Sequence, residues 1–245
     1  MRHYKISALI LAFVLGCITF AVANDWINKG LNAFSSKSKE MDTSSLSSSE
    51  ISKAFTEALL IGSEKVVARL GVKNGFNADP AVHIPLPKEL ITVKKALSNL
   101  EMSGTLDELE VKLNRAAEVA TPKAKKIFKK AIVEMSFEDV KKIYNGPEDS
   151  ATNYFKAKMT PELQKEMLPI VKKSLSEVGA VKTYNIIMKK YSSIPFAPKV
   201  DADINKHVVE KGMEGIFYYL AEEEAAIRKD PAKQTTSLLK KVFGK

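Results

Sequence analysis

Apolar residues recur along most of this chain at steps of three, four and seven, the period of helices with one buried face. Ile51, Phe55, Leu59, Val66 and Leu70 form the first such stripe, and Gly71 supplies its stop. The next stretch, GFNADPAVHIPLPKEL, places Pro80, Pro85 and Pro87 close together, which forbids helix and predicts an extended, polyproline-like crossing. Start signals then recur. Thr105 with Glu108 and Ser136 with Asp139 read as capping boxes, while Thr121-Pro122 and Thr160-Pro161 put proline at a first helical position. Helices are therefore expected to begin near 88, 106, 122, 137, 150 and 161, with Gly179 dividing the pair between 161 and 190. SSIPFAP at 192 to 198 is a second extended break, a long helix follows from about 201 to 229, and a last one spans roughly 232 to 243. No alternating run asks to be a strand, and no internal repeat is present. The prediction is a single all-α domain of eight or nine helices over residues 50 to 245.

Ahead of that domain the pattern changes. Arg2 and Lys5 precede an apolar run from Ile6 to Phe20 and an A-x-A at Ala21 to Ala23, the form of an export signal cleaved between Ala23 and Asn24. The run is short for a transmembrane helix. The rival reading is a lipoprotein anchored at Cys17, because Val14-Leu15-Gly16-Cys17 is an imperfect lipobox. Residues 24 to 34 carry Trp26, Ile27, Gly30, Leu31 and Phe34 at helical spacing, a short amphipathic helix that docks on the domain or touches a membrane. Residues 35 to 49 are serine-rich and read as a flexible linker.

Composition adds two constraints. Cys17 is the only cysteine, so the exported chain has no disulfide to stabilise it and relies on burial. With Arg2 and Lys5 gone, 36 basic residues face 29 acidic ones, a formal charge of +7 that suits anionic lipid, polyanions or acidic partners.

Familiar catalytic motifs are missing. There is no His-Glu-x-x-His, no Walker loop and no dinucleotide glycine pattern. Asp201-x-Asp203-x-Asn205 begins like a calcium loop, but Lys206 stands where the turn glycine belongs and Gly212 where the bidentate glutamate belongs, so it reads as a helix start. Ser237-x-x-Lys240 lacks the partner Lys-Thr-Gly of penicillin-binding enzymes. His83 and His207 have no second nitrogen or sulfur at metal spacing, and the sequence implies no cofactor.

Three constellations carry candidate chemistry. In FYYLAEEEAAIRKDP, Glu223 and Glu224 flank the stripe of Val209, Met213, Ile216, Leu220 and Ile227, while Glu222 faces away. Glu224 has Arg228 four residues on. Glu223 has no basic neighbour on its own helix and needs a partner from elsewhere in the fold, or it is a ligand-binding carboxylate beside Tyr218 and Tyr219. In LNRAAEVATPKAK, Arg115 and Glu118 lie away from the stripe of Leu106, Leu109, Leu113, Ala117 and Ala120, with Asn114 between; Arg115 pairs with Glu118, or suits Glu223 or an anionic ligand. In TPKAKKIFKKAIVEM, Lys123, Lys125, Lys126, Lys129 and Lys130 surround an apolar side that either packs inward or lies on anionic lipid. Nucleic acid is not an expected partner, because the signal exports the chain and no aromatic residues interleave these lysines.

GFNADPAVHIPLP at 75 to 87, LNRAAEVATPKAK at 113 to 125, GPEDSATNYF at 146 to 155, LPIVKKSLSEVGA at 168 to 180 and the run from Gly215 to Gly244 resemble an uncharacterised bacterial family catalogued as domain of unknown function 4197, over roughly residues 45 to 244. The resemblance implies an exported, mostly helical protein with no established activity and no assigned catalytic residues. The functional expectation is a periplasmic, non-enzymatic binding or interaction protein with a polar pocket built from segments 113 to 118 and 217 to 228, taking a small molecule or an envelope protein. The alternatives are a peripheral factor on an anionic membrane surface, held by the lysine-rich helix, and an enzyme with Glu223 as general acid or base.

Overall fold

A computed structural model describes residues 47–98, 102–230 and 234–243, and the described residues form eight helices and no strand. They are α1 (Ser48–Leu70), α2 (Lys88–Leu97), α3 (Ser103–Val133), α4 (Phe137–Tyr144), α5 (Ser150–Glu177), α6 (Ala180–Ser192), α7 (Ile204–Lys229) and α8 (Ser237–Phe243). Residues 43–245 form one compact unit with one continuous apolar core. The signal, the cleavage point, Cys17, the short amphipathic helix and the linker up to residue 46 lie outside the described residues.

Each end has a local cause. Ser47 and Glu50 make a reciprocal capping box, so α1 starts inside what the serine-rich composition marks as linker. Ser136 and Asp139 make the expected box at α4. Asp203 accepts the N–H groups of Asn205 and Lys206 at 3.0 Å each, so this aspartate is a helix cap. Gly179 takes φ +75°, a left-handed turn that lets α6 fold back directly after α5.

Several local signals are overridden. Thr121-Pro122 and Thr160-Pro161 start nothing: α3 runs through Pro122, and α5 runs through Pro161 and Pro169. A proline inside a helix leaves a carbonyl without its N–H partner. The preceding threonines turn back into the helix, Thr121 donating to Ala117 C=O at 2.8 Å and Thr160 to Lys156 C=O at 2.6 Å. The Pro122 ring lies where a Cβ at Gly71 would come within 2.8 Å of its Cγ, so a glycine at the end of α1 makes room for it. The Thr105–Glu108 box does not form either; α3 begins three residues earlier, and Glu108 pairs with Lys112 at 2.7 Å. Of the proline-rich crossing only 83–87 is extended, because residues 75–78 and 80–82 coil into turns.

At the centre, α3 packs against α1, α2, α5, α6 and α7, and α7 also packs against α1, α5 and α8. The segment from 71 to 87 closes one side of this arrangement, burying Phe76, Val82, Ile84 and Leu86.

Candidate functional site

Residues of the 113 to 118 segment and Tyr219 of the 217 to 228 segment both bond to the chain's own 74–87 segment. On α3, Glu110, Asn114 and Glu118 stand one helical turn apart on one face. Glu110 accepts Leu86 N–H at 3.0 Å and lies 3.0 Å from His83 Nε2. Asn114, fully buried, accepts Ile84 N–H at 2.9 Å and donates to Ile84 C=O at 2.8 Å. Glu118, 3% exposed, accepts the N–H groups of Phe76 and Asn77 at 3.1 Å each. This ladder satisfies main-chain groups of a buried non-helical segment that would otherwise be left without partners.

Arg115 donates to Glu118 at 2.5 Å and to Asn74 Oδ1 at 2.6 Å, so the pair is an anchor with Glu118 buried and Arg115 partly so, where the helical pattern puts both in water. The reason is tertiary: the 74–87 segment covers the side of α3 that the α3 stripe alone leaves open. On α7, Gly215 faces the same segment. A Cβ there would lie 2.9 Å from Phe76 Cε1 and 3.1 Å from Val82 Cβ.

The three glutamates of α7 separate. Glu222 is exposed. Glu224 is buried and accepts Ala151 N–H, Thr152 N–H and Arg228 Nη2 at 3.0 Å each, together with the Thr152 hydroxyl at 3.1 Å. A carboxylate thus sits on the N-terminus of α5, where the helix dipole favours it. Arg228 also donates to Ile143 C=O at 2.9 Å and lies over the Phe55 ring. Glu223 finds its partner on α1, Lys65 at 3.3 Å, and does not reach for Arg115.

What remains toward solvent is a cluster across α1 and α7. Tyr219 donates its hydroxyl to Asp79 Oδ2 at 2.6 Å and accepts Arg69 Nη2 at 2.7 Å, while Arg69 also pairs with Asp79 at 3.0 Å. The guanidinium carbon lies 3.7 Å from the Tyr219 ring centre, and Tyr218 meets that ring edge-on at 5.0 Å. Burial works to raise the Asp79 carboxyl, but bonds from Tyr219, Arg69 and Ala81 N–H outweigh it and hold the group below its ordinary value. Burial, and then Asp79 itself, push the Tyr219 hydroxyl up to about 12. Tyr218 is 46% exposed, and the side chains of Arg69 and Lys65 are 56% and 37% exposed.

The five lysines of 123 to 130 are exposed. Ala124, Phe128 and Ile132 are in the core, so the main apolar side of that stretch of α3 is packed inward, with Val133 exposed at its end. Lys125 pairs with Glu64 at 2.9 Å and Lys130 with Glu162 at 3.4 Å.

Sequence reasoning missed Lys65, Arg69, Asp79 and Glu110. Only Glu110 left a signal, since with Asn114 and Glu118 it makes a ladder of three residues at a four-residue step; the other three depend on which segments face α7. Among the described residues no group of acidic, histidine or cysteine side chains could hold a metal ion, and no helix is long and apolar enough to cross a membrane.

A family model described as a protein of unknown function (DUF4197) matches residues 45–244. No curated protein and no solved structure matches the chain.

Proposed function

This chain belongs to the DUF4197 family, whose function is unknown, and we propose that it is an exported, non-enzymatic interaction protein that recognises an envelope protein through the α1–α7 cluster. The single observation that carries the reading is Tyr218, half exposed and held edge-on to Tyr219 beneath the exposed Arg69 guanidinium. Tyrosine and arginine, ordered before contact, lose little side-chain freedom on binding and dominate the centres of protein interfaces. Here the ordering comes from Asp79 and, beneath it, from the ladder of Asn114 and Glu118 with its Arg115 brace. Lys65 and Glu223 border the patch, and Arg228 with Glu224 fixes the far end of α7.

A protein is favoured over a small molecule because the 74–87 segment itself bonds to both predicted arms. Glu223, paired with Lys65, supplies charge at the border of this contact. Export follows from the amino-terminal signal, with release after Ala23 or anchoring at Cys17 as its two outcomes.

The test is a photo-crosslinking residue at position 218 in cells, with exposed Glu222 as the control position. A discrete product at 218 that is absent at 222 and lost with Arg69→Ala is the expected result. No product at 218, or one indifferent to Arg69→Ala, rules the reading out.

A further inference from the structure

Phe196 combines two features that nothing among the described residues explains. Ala197 N–H donates to Ile194 C=O at 3.3 Å, closing a turn with Pro195 in its second position and Phe196 in its third. Phe196 has φ +61°. Proline followed by a positive φ is the pattern of a type II turn, whose third position favours glycine because a Cβ is strained there. A phenylalanine at that position needs compensation, yet its side chain is fully exposed and packs on none of the described residues. The base of the turn is firm: Tyr191, itself buried, donates its hydroxyl to Pro198 C=O at 3.0 Å, and Ile194 N–H donates to Tyr191 C=O at 3.0 Å. An aromatic ring is therefore held out into solvent by a rigid, locally strained turn, and such strain concentrates where contact with something else repays it.

The collar of this tip is basic. Lys199, three residues after Phe196, and Lys189 and Lys190, in the last turn of α6 that leads into it, are all exposed. The acidic neighbours are Asp201, exposed, and Asp203, whose carboxylate already caps α7. We propose that the 194–199 turn is a membrane-contact tip, which places Phe196 at the acyl boundary of an anionic bilayer while Lys189, Lys190 and Lys199 meet the headgroups. One exposed ring inside a cationic collar matches an interface that is apolar below and negative above. This contact is separate from the α1–α7 cluster: Tyr218 lies fourteen residues along α7 from its start, about 21 Å of helix. It also differs from the lysine-rich stretch of α3, whose apolar side is in the core.

The experiment uses residues 43–245, the compact unit, so that the apolar amino terminus contributes nothing. Sedimentation at low salt is measured with vesicles of equal parts phosphatidylglycerol and phosphatidylethanolamine, and with phosphatidylcholine alone. Binding to the anionic vesicles only is expected, weakened roughly tenfold or more by Phe196→Gly and about fivefold by each Lys→Gln at 189, 190 and 199. Phe196→Gly should at the same time unfold at a higher temperature, because glycine relieves the turn. That outcome separates lost contact from lost fold. In Phe196→Trp the only tryptophan of this unit sits at the tip, and its emission should shift to the blue on the anionic vesicles. Absence of anionic binding, wild-type binding by Phe196→Gly, or binding abolished by Lys123→Gln with Lys126→Gln and Lys129→Gln but untouched at 196 would each overturn the proposal. So would a crosslink from position 196 to a protein without lipid binding.

Discussion

Asn114 and Ile84 bond as a side chain to a main chain: Oδ1 accepts Ile84 N–H at 2.9 Å and Nδ2 donates to Ile84 C=O at 2.8 Å. The primary amide thereby takes the place of a neighbouring strand for a segment that has none. Asn114→Ala would leave both Ile84 groups buried without partners, at about 2 to 4 kcal/mol of stability. Urea unfolding measures this, and a loss under about 0.5 kcal/mol would mean that water replaces the amide.

Gly215 provides a test in which two effects have opposite signs. Alanine in the middle of a helix is worth about 1 kcal/mol over glycine when nothing else changes. Here the added Cβ meets Phe76 at 2.9 Å and Val82 at 3.1 Å, both buried. Gly215→Ala should therefore destabilise by roughly 1 to 3 kcal/mol and expose the 74–87 segment to limited proteolysis. A more stable variant with the wild-type cleavage pattern would refute the close packing.

The adjacent glutamates should behave unlike each other. Glu224 is buried against Arg228 and the start of α5, so Glu224→Gln leaves a buried cation underpaired and should lose about 3 kcal/mol. Glu223 pairs with Lys65 where both side chains are partly wet, at 26% and 37% exposure, so Glu223→Gln should lose no more than about 1 kcal/mol. Thermal melts of the two variants decide it, and equal losses would contradict the placement.

Tyr219 and Tyr154 both contribute to stability at alkaline pH. Both are pushed from 10.0 to about 12, by burial first and then by Asp79 and Asp139 respectively. A hydroxyl that holds its proton more tightly when folded stabilises fully below pH 10 and loses that contribution as pH rises through about 12. Asp79 has the opposite sign: its value is lowered from 3.8, so its contribution is present above that value and is lost as pH falls through the depressed one. Tyr219→Phe should flatten the alkaline fall in melting temperature and move the acid fall to higher pH. Both limbs unchanged would show that the Tyr219–Asp79 bond is not formed in solution.

Much of the architecture was legible along the chain. The stripes beginning at Ile51 and Val209, the break at Pro80 to Pro87 and the Ser136–Asp139 box all report interactions within a few residues, and each recurs in the structure. The prolines misled because helix propensity is a local preference. At Pro122 the apolar stripe continues from Ala120 to Ala124 and Phe128, and that burial outweighs one missing hydrogen bond. Of the candidate site, the Arg115–Glu118 and Glu224–Arg228 pairs could be found by spacing, but their burial could not.

By itself, then, the sequence determined the apolar stripes of α1, α3 and α7, where most helices begin and that no cysteine stabilises the domain, because these depend on neighbours at fixed spacing. Only the tertiary structure decided that Glu223 meets Lys65, a residue 158 positions away, that Tyr219 joins Asp79 and Arg69, and that Glu118 is roofed by the 74–87 segment. The rotation of α7 against α1 and the path of that segment over α3 set those partners. Both are fixed by the packing of the whole core, which no short window of sequence contains.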